Sequence, residues 1–200
     1  MENLVRRARF VLGAASAKAF PDWDLPEVAF AGRSNVGKSS ALKVLTGGKT
    51  KVRVSKNPGR TTEINFFELG LTDDRTLSFV DLPGYGYASV PRAMREHWGT
   101  LVRGYFENRK RLALTILLCD LRRGPESEEE GLVAWLEELD IPWLLLLTKA
   151  DKISKSQRKP MAWKAAKALD LTGSSPILFS AKDGFGIEQL WRKILQASFG

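Results

Sequence analysis

The stretch Gly32-Arg33-Ser34-Asn35-Val36-Gly37-Lys38-Ser39 decides the fold of this chain. It follows the apolar run 28–31 and precedes residues 40–45, whose side chains favour a helix. This order of strand, glycine-rich loop and helix is that of a P-loop, whose backbone N–H groups surround a phosphate at the positive end of a helix. In such a loop Lys38 reaches the β- and γ-phosphates, and the Ser39 hydroxyl is a ligand of Mg²⁺. The alternative is a glycine- and serine-containing turn that matches by chance, and the strand-to-helix context argues against it.

A second motif, Asp81-Leu82-Pro83-Gly84, follows the apolar run 77–80. An aspartate at the end of a strand that faces a P-loop can hold Mg²⁺ through a water molecule, which predicts a metal-binding role for Asp81. Gly84 has no Cβ, so its backbone can approach a γ-phosphate and donate its N–H. The pattern is weak alone, and its position after the P-loop unit and one further strand strengthens it.

A third motif, Thr148-Lys149-Ala150-Asp151, follows the apolar run 143–147 and selects the base. The Asp151 carboxylate can accept two hydrogen bonds from the N1–H and N2–H₂ groups of guanine, and adenine has no such pair of donors. A site built to hydrogen-bond its substrate rejects analogues that lack the matching groups. The Lys149 stem can cover the face of the purine. The alternative is an ordinary surface turn after a buried strand.

A fourth motif, Ser180-Ala181-Lys182, follows the run 176–179 and would offer the Ala181 N–H to guanine O6. Each motif lies at the carboxyl end of a predicted strand, where ligands bind in open α/β sheets. The four together predict GTP binding, with Lys38 and Gly84 also predicted to be catalytic. The predicted nucleotide-binding residues within these motifs are Gly32, Arg33, Ser34, Asn35, Val36, Gly37, Lys38, Ser39, Ser40, Asp81, Gly84, Thr148, Lys149, Asp151, Ser180, Ala181 and Lys182.

Strands and helices alternate along the chain, which predicts a parallel sheet covered by helices. Residues 63–69 and 75–80 are expected to be an antiparallel pair at one edge, and loops 47–62 and 82–92 are expected to be mobile. The other predicted strands are 27–31, 112–119, 141–147 and 176–179. Helices are predicted over 37–46, up to about 108, around Leu132 and Leu136, over 155–169 and from Ile187 onward.

The composition is that of an ordinary globular protein, with 200 residues, 44% of them hydrophobic and 27% charged. The single cysteine, Cys119, rules out an intramolecular disulfide within the chain and suits a reducing compartment, so we expect a cytoplasmic protein. No apolar stretch approaches the roughly 20 residues of a membrane span. The single histidine, His97, has no neighbouring cysteine or histidine that would suggest metal ligation. Because no surplus apolar helix face is evident, we expect a monomer.

The N-terminal residues 1–20 carry four basic side chains and one acidic side chain among apolar ones. A mitochondrial transit peptide has a similar composition. We favour a folded segment, 1–25, packed on a GTP-binding domain, 26–200, because residues 21–26 lead directly into the first strand.

The net charge of +8 favours an anionic partner. The excess falls in three stretches, for which we predict contact with RNA phosphates and for which the alternative is a set of solvated surfaces. The acidic run Glu126, Glu128, Glu129 and Glu130 instead complements the dipole at the start of a helix. The basic stretches comprise Lys43, Lys49, Lys51, Arg53, Lys56 and Arg60; Lys152, Lys155, Arg158, Lys159, Lys164 and Lys167; and Arg92, Arg95, Arg103, Arg109, Lys110 and Arg111.

Four longer strings resemble those of translation-factor-class GTPases of the EngB (YihA/YsxC) type, and the resemblance runs from about Pro26 to the C-terminus. It implies a three-layer, Ras-like P-loop GTPase domain whose mostly parallel, six-stranded sheet has one antiparallel edge strand and helices on both faces. The chain departs from the family pattern at Ala41, Lys43 and Thr62, which touch neither phosphate nor base. The strings are residues 30–40, Pro58-Gly59-Arg60-Thr61, Ile64-Asn65-Phe66-Phe67 and residues 81–88.

The resemblance implies a slowly hydrolysing GTP switch that acts in assembly of the large ribosomal subunit, with rRNA and ribosomal proteins as partners, and that is required for normal cell division. It assigns Thr61 to switch I, where its hydroxyl ligates Mg²⁺ and its backbone senses the γ-phosphate, and it adds Gly59 and Thr61 to the nucleotide-binding residues. Thr61 thereby joins the predicted catalytic residues.

Two positions bear on turnover. Tyr85 stands where Ras-like enzymes place a water-orienting glutamine, which predicts slow hydrolysis. Related enzymes use an asparagine at the place of Asn35 to bind K⁺ near the phosphates, and the alternative is a loop-stabilising turn residue.

Two other functions remain open from sequence: a P-loop ATPase or small-molecule kinase, and a non-enzymatic RNA-binding module with a regulatory nucleotide site.

Overall fold

The structure of the chain, a computed structural model, describes residues 4–49, 63–86, 92–171 and 175–200, with the side chains of 92–98 excepted. Within these ranges the predicted boundaries agree with the elements to within two residues. The strands are β1 (Val5–Ala14), β2 (Glu27–Gly32), β3 (Ile64–Leu71), β4 (Thr76–Asp81), β5 (Leu112–Asp120), β6 (Trp143–Thr148) and β7 (Ile177–Leu178). The helices are α1 (Lys38–Leu45), α2 (Arg92–Asn108), α3 (Ser127–Glu138), α4 (Lys155–Ala168) and α5 (Ile187–Phe199), with short 3₁₀ turns at Ala17–Ala19 and Ala150–Lys152.

The strands form one sheet in the order β1-β3-β4-β2-β5-β6-β7. Only β3 runs against its neighbours, because it is antiparallel to both β1 and β4 while the remaining pairs are parallel. The central strands are continuous apolar runs, as expected for strands that are covered on both faces. The α/β fold class predicted from the sequence is confirmed.

The structure adds one strand to the six that were predicted. Residues 5–14, expected within a segment packed on the domain, form β1 and pair with β3 from Val5 opposite Leu71 to Ala14 opposite Ile64. The sheet therefore has seven strands, and β3 lies inside it rather than at its edge. The arginines of β1 are exposed, and charged side chains are typical of edge strands because they discourage further pairing. The division into 1–25 and 26–200 remains a prediction.

Two apolar layers lie on opposite faces of the sheet because successive side chains of a strand alternate between faces. Val28 and Phe30 of β2 face the layer that α1 and α5 cover. Ala29 and Ala31 face the layer that α2, α3 and α4 cover. This sandwich fixes the carboxyl ends of β2, β4, β5, β6 and β7 along one rim of the molecule.

At the opposite rim, Glu27 is the first residue of β2, and its fully buried carboxylate is surrounded by hydrogen-bond donors. It accepts hydrogen bonds from Trp23 Nε1 at 2.7 Å, from the Tyr105 hydroxyl at 2.9 Å and from the Arg109 guanidinium. Arg109 also donates to the Pro21 carbonyl at 3.1 Å. These bonds tie the segment before β2 to the end of α2.

Among the described residues, no helix has the length and apolar character needed to cross a membrane. Cys119 is buried, and burial together with nearby Glu129 raises the pKa of its thiol to about 12. The thiol therefore packs as a small apolar side chain. Most of the predicted mobile loop 47–62 lies outside the described residues, as do residues 87–91 of the predicted mobile loop 82–92.

Candidate nucleotide-binding site

The loop between β2 and α1 has the backbone that a P-loop requires. Asn35 and Gly37 both have positive φ, 63° and 112°, so the chain curls before α1 begins at Lys38. A Cβ on Gly32 would lie 2.9 Å from the Leu118 carbonyl oxygen of β5, so only glycine fits there. The curled loop and the first turn of α1 together form a concave surface of backbone amides, which suits an anion.

The Lys38 ammonium and the Asp81 carboxylate form an ion pair across the P-loop, and both side chains are largely buried. The parallel pairing of β2 with β4 brings them together, since Phe30 lies opposite Asp81. Two residues predicted to serve phosphate and metal are thus already in contact. A bound phosphate would offer Lys38 a second anionic partner and leave the Asp81 carboxylate available to a cation.

The segment around Gly84 lies directly against the P-loop. The Ser34 N–H donates to the Tyr85 carbonyl at 2.9 Å. A Cβ on Gly84 would come within 2.8 Å of Ser34 Oγ and 3.2 Å of the Ser34 backbone. A side chain at position 84 would therefore crowd Ser34, and the Gly84 backbone lies beside the loop expected to hold the phosphates.

The Tyr85 side chain packs into the apolar layer under α2 and α3. Burial and the nearby Glu129 carboxylate raise the pKa of its phenol above the ordinary value. The hydroxyl therefore lies close to the Glu129 carboxylate of α3.

The predicted base-recognition motif is fastened to the P-loop by side chains. The Thr148 hydroxyl donates to the Val36 carbonyl at 2.7 Å, and Lys149 Nζ donates to the Asn35 carbonyl at 2.8 Å. The Lys149 backbone has a φ of 58°, so the chain turns sharply at the end of β6. The phosphate loop and the base loop therefore form one connected unit.

The fourth motif joins the same unit. The Ser180 hydroxyl donates to Asp151 Oδ1 at 3.1 Å, and it also accepts from the Lys182 N–H at 3.3 Å. A cleft of about 690 Å³ opens between these loops and the start of α1. Its lining includes Gly37, Ser40, Lys149, Asp151, Ala181 and Lys182. A cleft of this size can hold a nucleoside, with Asp151 and the Ala181 backbone at one end.

Asp120, which was not predicted from the sequence, ends β5 and holds Lys149 in place. Its carboxylate lies 3.0 Å from Lys149 Nζ and accepts hydrogen bonds from the Arg122 backbone and side chain. Burial alone would raise the pKa of the Asp120 carboxyl, but the hydrogen bonds from Arg122 and Lys149 outweigh it and lower that pKa to about 2. Its position at the carboxyl end of a buried strand was the signal that could have identified it.

The Arg33 guanidinium is directed to α3 instead of into the cleft. It forms ion pairs with Glu126 and Glu128, and the hydrogen bond with Arg33 lowers the pKa of the Glu126 carboxyl. Arg33 can therefore serve a nucleotide through its backbone. Glu126 also forms a capping box with Glu129 at the start of α3, consistent with the predicted role of the acidic run at a helix start.

The predicted site residues fall into three groups. Those of the P-loop, Asp81, Gly84 and the two base loops lie along one rim of the sheet. Gly59 and Thr61 lie outside the described residues, so their predicted roles stay predictions. Ser39 and Ser40 lie in the first turn of α1, where Ser39 is half-buried and Ser40 is exposed and lines the cleft.

The oxygen donors present suit a magnesium ion that is held mainly through a nucleotide. The Ser39 hydroxyl and the Asp81 carboxylate are hard oxygen ligands of the kind that Mg²⁺ prefers, and Mg²⁺ commonly combines one or two such groups with phosphates and water. Throughout the described ranges, no group of three or more histidine, cysteine or acidic side chains could hold a metal by itself. The donor set therefore fits Mg²⁺ bound together with phosphates.

A P-loop at the end of β2, an aspartate at the end of β4 and a Thr-Lys-Ala-Asp motif at the end of β6 define the chain as a P-loop GTPase. The family model described as 50S ribosome-binding GTPase matches residues 27–149. The chain belongs to the EngB family of GTP-binding proteins.

Two curated relatives and one solved structure illustrate this membership. The protein named "Probable GTP-binding protein EngB" from Desulfosudis oleivorans is 44% identical over 92% of this chain and 91% of its own length. That of Desulfatibacillum aliphaticivorans is 43% identical over 96% of this chain and 92% of its own length. A crystal structure of a probable EngB GTP-binding protein superposes with a TM-score of 0.69 at 30% identity, covering 86% of this chain and 97% of the other. The family supports GTPase activity over the two other functions left open by the sequence.

Proposed function

We propose that this GTPase is a molecular switch in the assembly of the large ribosomal subunit. The observation that carries the proposal is the net charge of +8, with the stretches 43–60 and 152–169 basic and without acidic residues, on a chain whose family model is described as ribosome-binding. Such stretches attract the phosphates of RNA. GTP would order loops 47–62 and 82–92 around the γ-phosphate, and hydrolysis would release them.

The proposed reaction is in-line attack of water on the γ-phosphate of GTP. The P-loop amides, the Gly84 N–H and the Lys38 ammonium stabilise the negative charge on the phosphoryl oxygens. Asp151 and the Ala181 N–H hold guanine, and Lys149 covers the face of the base. We assign nucleotide contacts to the remaining residues predicted from sequence on the same basis, with Gly59 and Thr61 resting on the family resemblance.

Magnesium would be held by the hydroxyls of Ser39 and Thr61 and, through water, by Asp81. The ion would neutralise negative charge on the phosphates. Tyr85 cannot replace an amide that orients water, so intrinsic turnover should be slow. We further propose that Asn35 contributes to a K⁺ site beside the phosphates, for which equal GTPase rates in matched KCl and NaCl would be the contradicting result.

The remaining features of the proposal are biological. We expect a monomer that acts in the cytoplasm on rRNA and ribosomal proteins, with loss of the protein impairing cell division and septation. The proposed N-terminal segment 1–25 would be packed on the domain, and the pairing of residues 5–14 with β3 supports this. The GTPase domain would extend from residue 26 to the C-terminus.

The test is cosedimentation with purified large and small ribosomal subunits, in GDP or a non-hydrolysable GTP analogue, across a salt series. We expect binding to the large subunit that strengthens with the analogue and falls steeply with salt. Binding to neither subunit in either nucleotide state would contradict the ribosomal role and leave the GTPase assignment intact.

A further inference from the structure

Trp163, on α4, is unusually exposed for a tryptophan. Its exposed fraction is 67%, the highest among the exposed large hydrophobic side chains of the described residues. The buried face of α4 instead uses the small side chains of Ala162 and Ala165. The core therefore does not require an aromatic ring at position 163, and a large apolar ring facing water commonly marks a contact surface.

Lysines flank this ring along the helix. Lys159 and Lys167 lie one turn before and one turn after Trp163 on the same stripe of α4, and both are exposed. Lys167 Nζ lies 5.5 Å from the centre of the Trp163 ring. The sequence contains no aspartate or glutamate from residue 152 to residue 169. Trp163 is thus the centre of a cationic stripe.

A second exposed ring lies near the start of the same helix. The Arg158 guanidinium lies 5.5 Å from the centre of the Phe185 ring, and Phe185 is 46% exposed. Phe185 follows the Ser180-Ala181-Lys182 motif, in a loop that also contains the acidic residue Asp183. The cationic surface therefore extends from α4 toward the base end of the nucleotide cleft. We call the exposed face of α4 together with Phe185 the α4 surface.

We propose that the α4 surface binds unpaired RNA, with a base stacked on Trp163 and neighbouring phosphates on Lys159 and Lys167. Aromatic side chains stack any exposed base with little sequence preference, and lysines contact the backbone on either side. Bases inside a duplex are already stacked, so a single ring recognises loops and single strands best.

Other occupants fit these observations less well. The cores of protein interfaces are depleted in lysine, whereas Lys159 and Lys167, one turn to either side of Trp163, are both cationic. A helix that lies on a membrane needs a broad apolar face, and the apolar face of α4 is used against the sheet. The charge of the stripe matches a polyanion, and the exposed ring distinguishes an unpaired base from a phosphate backbone alone.

This inference rests on the proposed RNA partner and extends it to a particular surface. The test titrates the full chain, with GDP, into a fluorescently labelled unstructured 12-nucleotide RNA and a duplex of the same length. We expect the single strand to bind more tightly than the duplex. Trp163→Ala should weaken single-strand binding roughly tenfold, and Trp163→Phe should retain most of it.

Matched variants separate stacking from charge. Lys159→Gln combined with Lys167→Gln should reduce the slope of log affinity against log salt by about 1.4. Lys18→Gln combined with Lys193→Gln removes the same charge from exposed positions elsewhere and should reduce the slope less. Phe199→Ala is the aromatic control, because Phe199 is an exposed aromatic side chain on another helix, α5, outside the α4 surface.

Unchanged affinity of Trp163→Ala for the single strand would overturn the proposal. The proposal would also be overturned if Trp163→Ala lost binding to anionic lipid vesicles and kept its binding to RNA. Because Trp163 is exposed, GDP affinity and the melting temperature serve as checks that the variant is folded. If Trp163→Ala binds RNA normally while the native protein sediments with large subunits, this inference fails and the proposed function stands. If single-strand binding depends on Trp163 while no subunit is bound, the α4 surface stands and the ribosomal role fails.

Discussion

The buried charged side chains at the two rims of the sheet differ in their partners. At the amino end of β2, the Glu27 carboxylate has all its partners within the protein, from Trp23, Tyr105 and Arg109. At the carboxyl end, Lys38 and Asp81 are paired with each other beside the P-loop, and the described residues show no further ion pair of either side chain. We call Glu27 and its partners the closed network, Lys38 with Asp81 the open pair, and the rim at the carboxyl ends of the parallel strands the open rim. The closed network holds elements of the fold together, whereas the open pair can exchange partners with a ligand. One rim of the sheet therefore contributes to stability and the other is suited to binding.

The largest effect is expected from breaking the closed network. Glu27→Gln leaves the Arg109 guanidinium without its buried counter-charge, and such losses cost about 3 kcal/mol or more in the free energy of unfolding. Urea unfolding with GDP absent measures this. Glu188→Gln, which removes an exposed pairing with Arg192 on α5, is the control and should cost under about 0.5 kcal/mol. Equal losses in both variants would remove the basis of the comparison.

Breaking the open pair should affect binding more than folding. Lys38→Ala removes the cation predicted to contact the β- and γ-phosphates, and we expect GDP and GTP affinity to fall at least about 100-fold. The free energy of unfolding should fall less than in Glu27→Gln. Calorimetric titration with each nucleotide measures the affinity, with Lys193→Ala as an exposed control. Affinity retained within a few-fold would refute the phosphate role of Lys38.

The preference for guanine over xanthine tests the role of Asp151, which lies at the base end of the cleft. Asp151→Asn replaces an acceptor carboxylate with an amide, so guanine loses a partner and xanthine, which carries a carbonyl oxygen in place of the amino group, gains one. We expect GTP affinity to fall roughly tenfold or more and xanthosine triphosphate affinity to rise. Asp183→Asn changes an exposed carboxylate in the neighbouring base loop and should leave the preference unchanged. Unaltered GTP selectivity in Asp151→Asn would contradict the assignment.

The smallest effect concerns Asp120, whose partners lie within the protein although it borders the open rim. Its pKa is lowered from 3.8 to about 2, so its ionised form stabilises the folded state above pH 4 and this contribution disappears as pH falls toward 2. Asp120→Asn should cost about 1 kcal/mol at pH 6, and the difference from the native protein should shrink between pH 4 and pH 2. Urea unfolding across that range measures it, and a constant difference would contradict the linkage.

Much of the open rim could be predicted from sequence because its parts are local. Each motif pairs an apolar strand with the residues that follow it immediately, and parallel strands bring those residues to one edge. The ion pair of Lys38 with Asp81 and the contact of Gly84 with the P-loop follow from that arrangement. The hydrogen bond between Ser180 and Asp151 follows from the same arrangement.

The features that the sequence did not predict depend on distant partners. Strand β1 has the charged composition of an edge, and only its pairing with β3 identifies it as a strand. Asp120 acquires its role from Lys149, and Arg33 is drawn to α3 by Glu126. The Glu27 network joins residues up to 82 positions apart along the chain. No local sequence pattern predicts hydrogen bonds between residues at such a distance.

The hydrogen bond from the Ser34 N–H to the Tyr85 carbonyl has a mechanical consequence. It fixes the backbone just after Gly84, and the partly buried Tyr85 ring packs against the layer beneath α2 and α3. Residue 85 is thereby joined to two parts of the molecule, to the P-loop through its carbonyl and to the helices through its ring. A shift of the P-loop at Ser34 would therefore reach the packing beneath α2 and α3 through a single hydrogen bond.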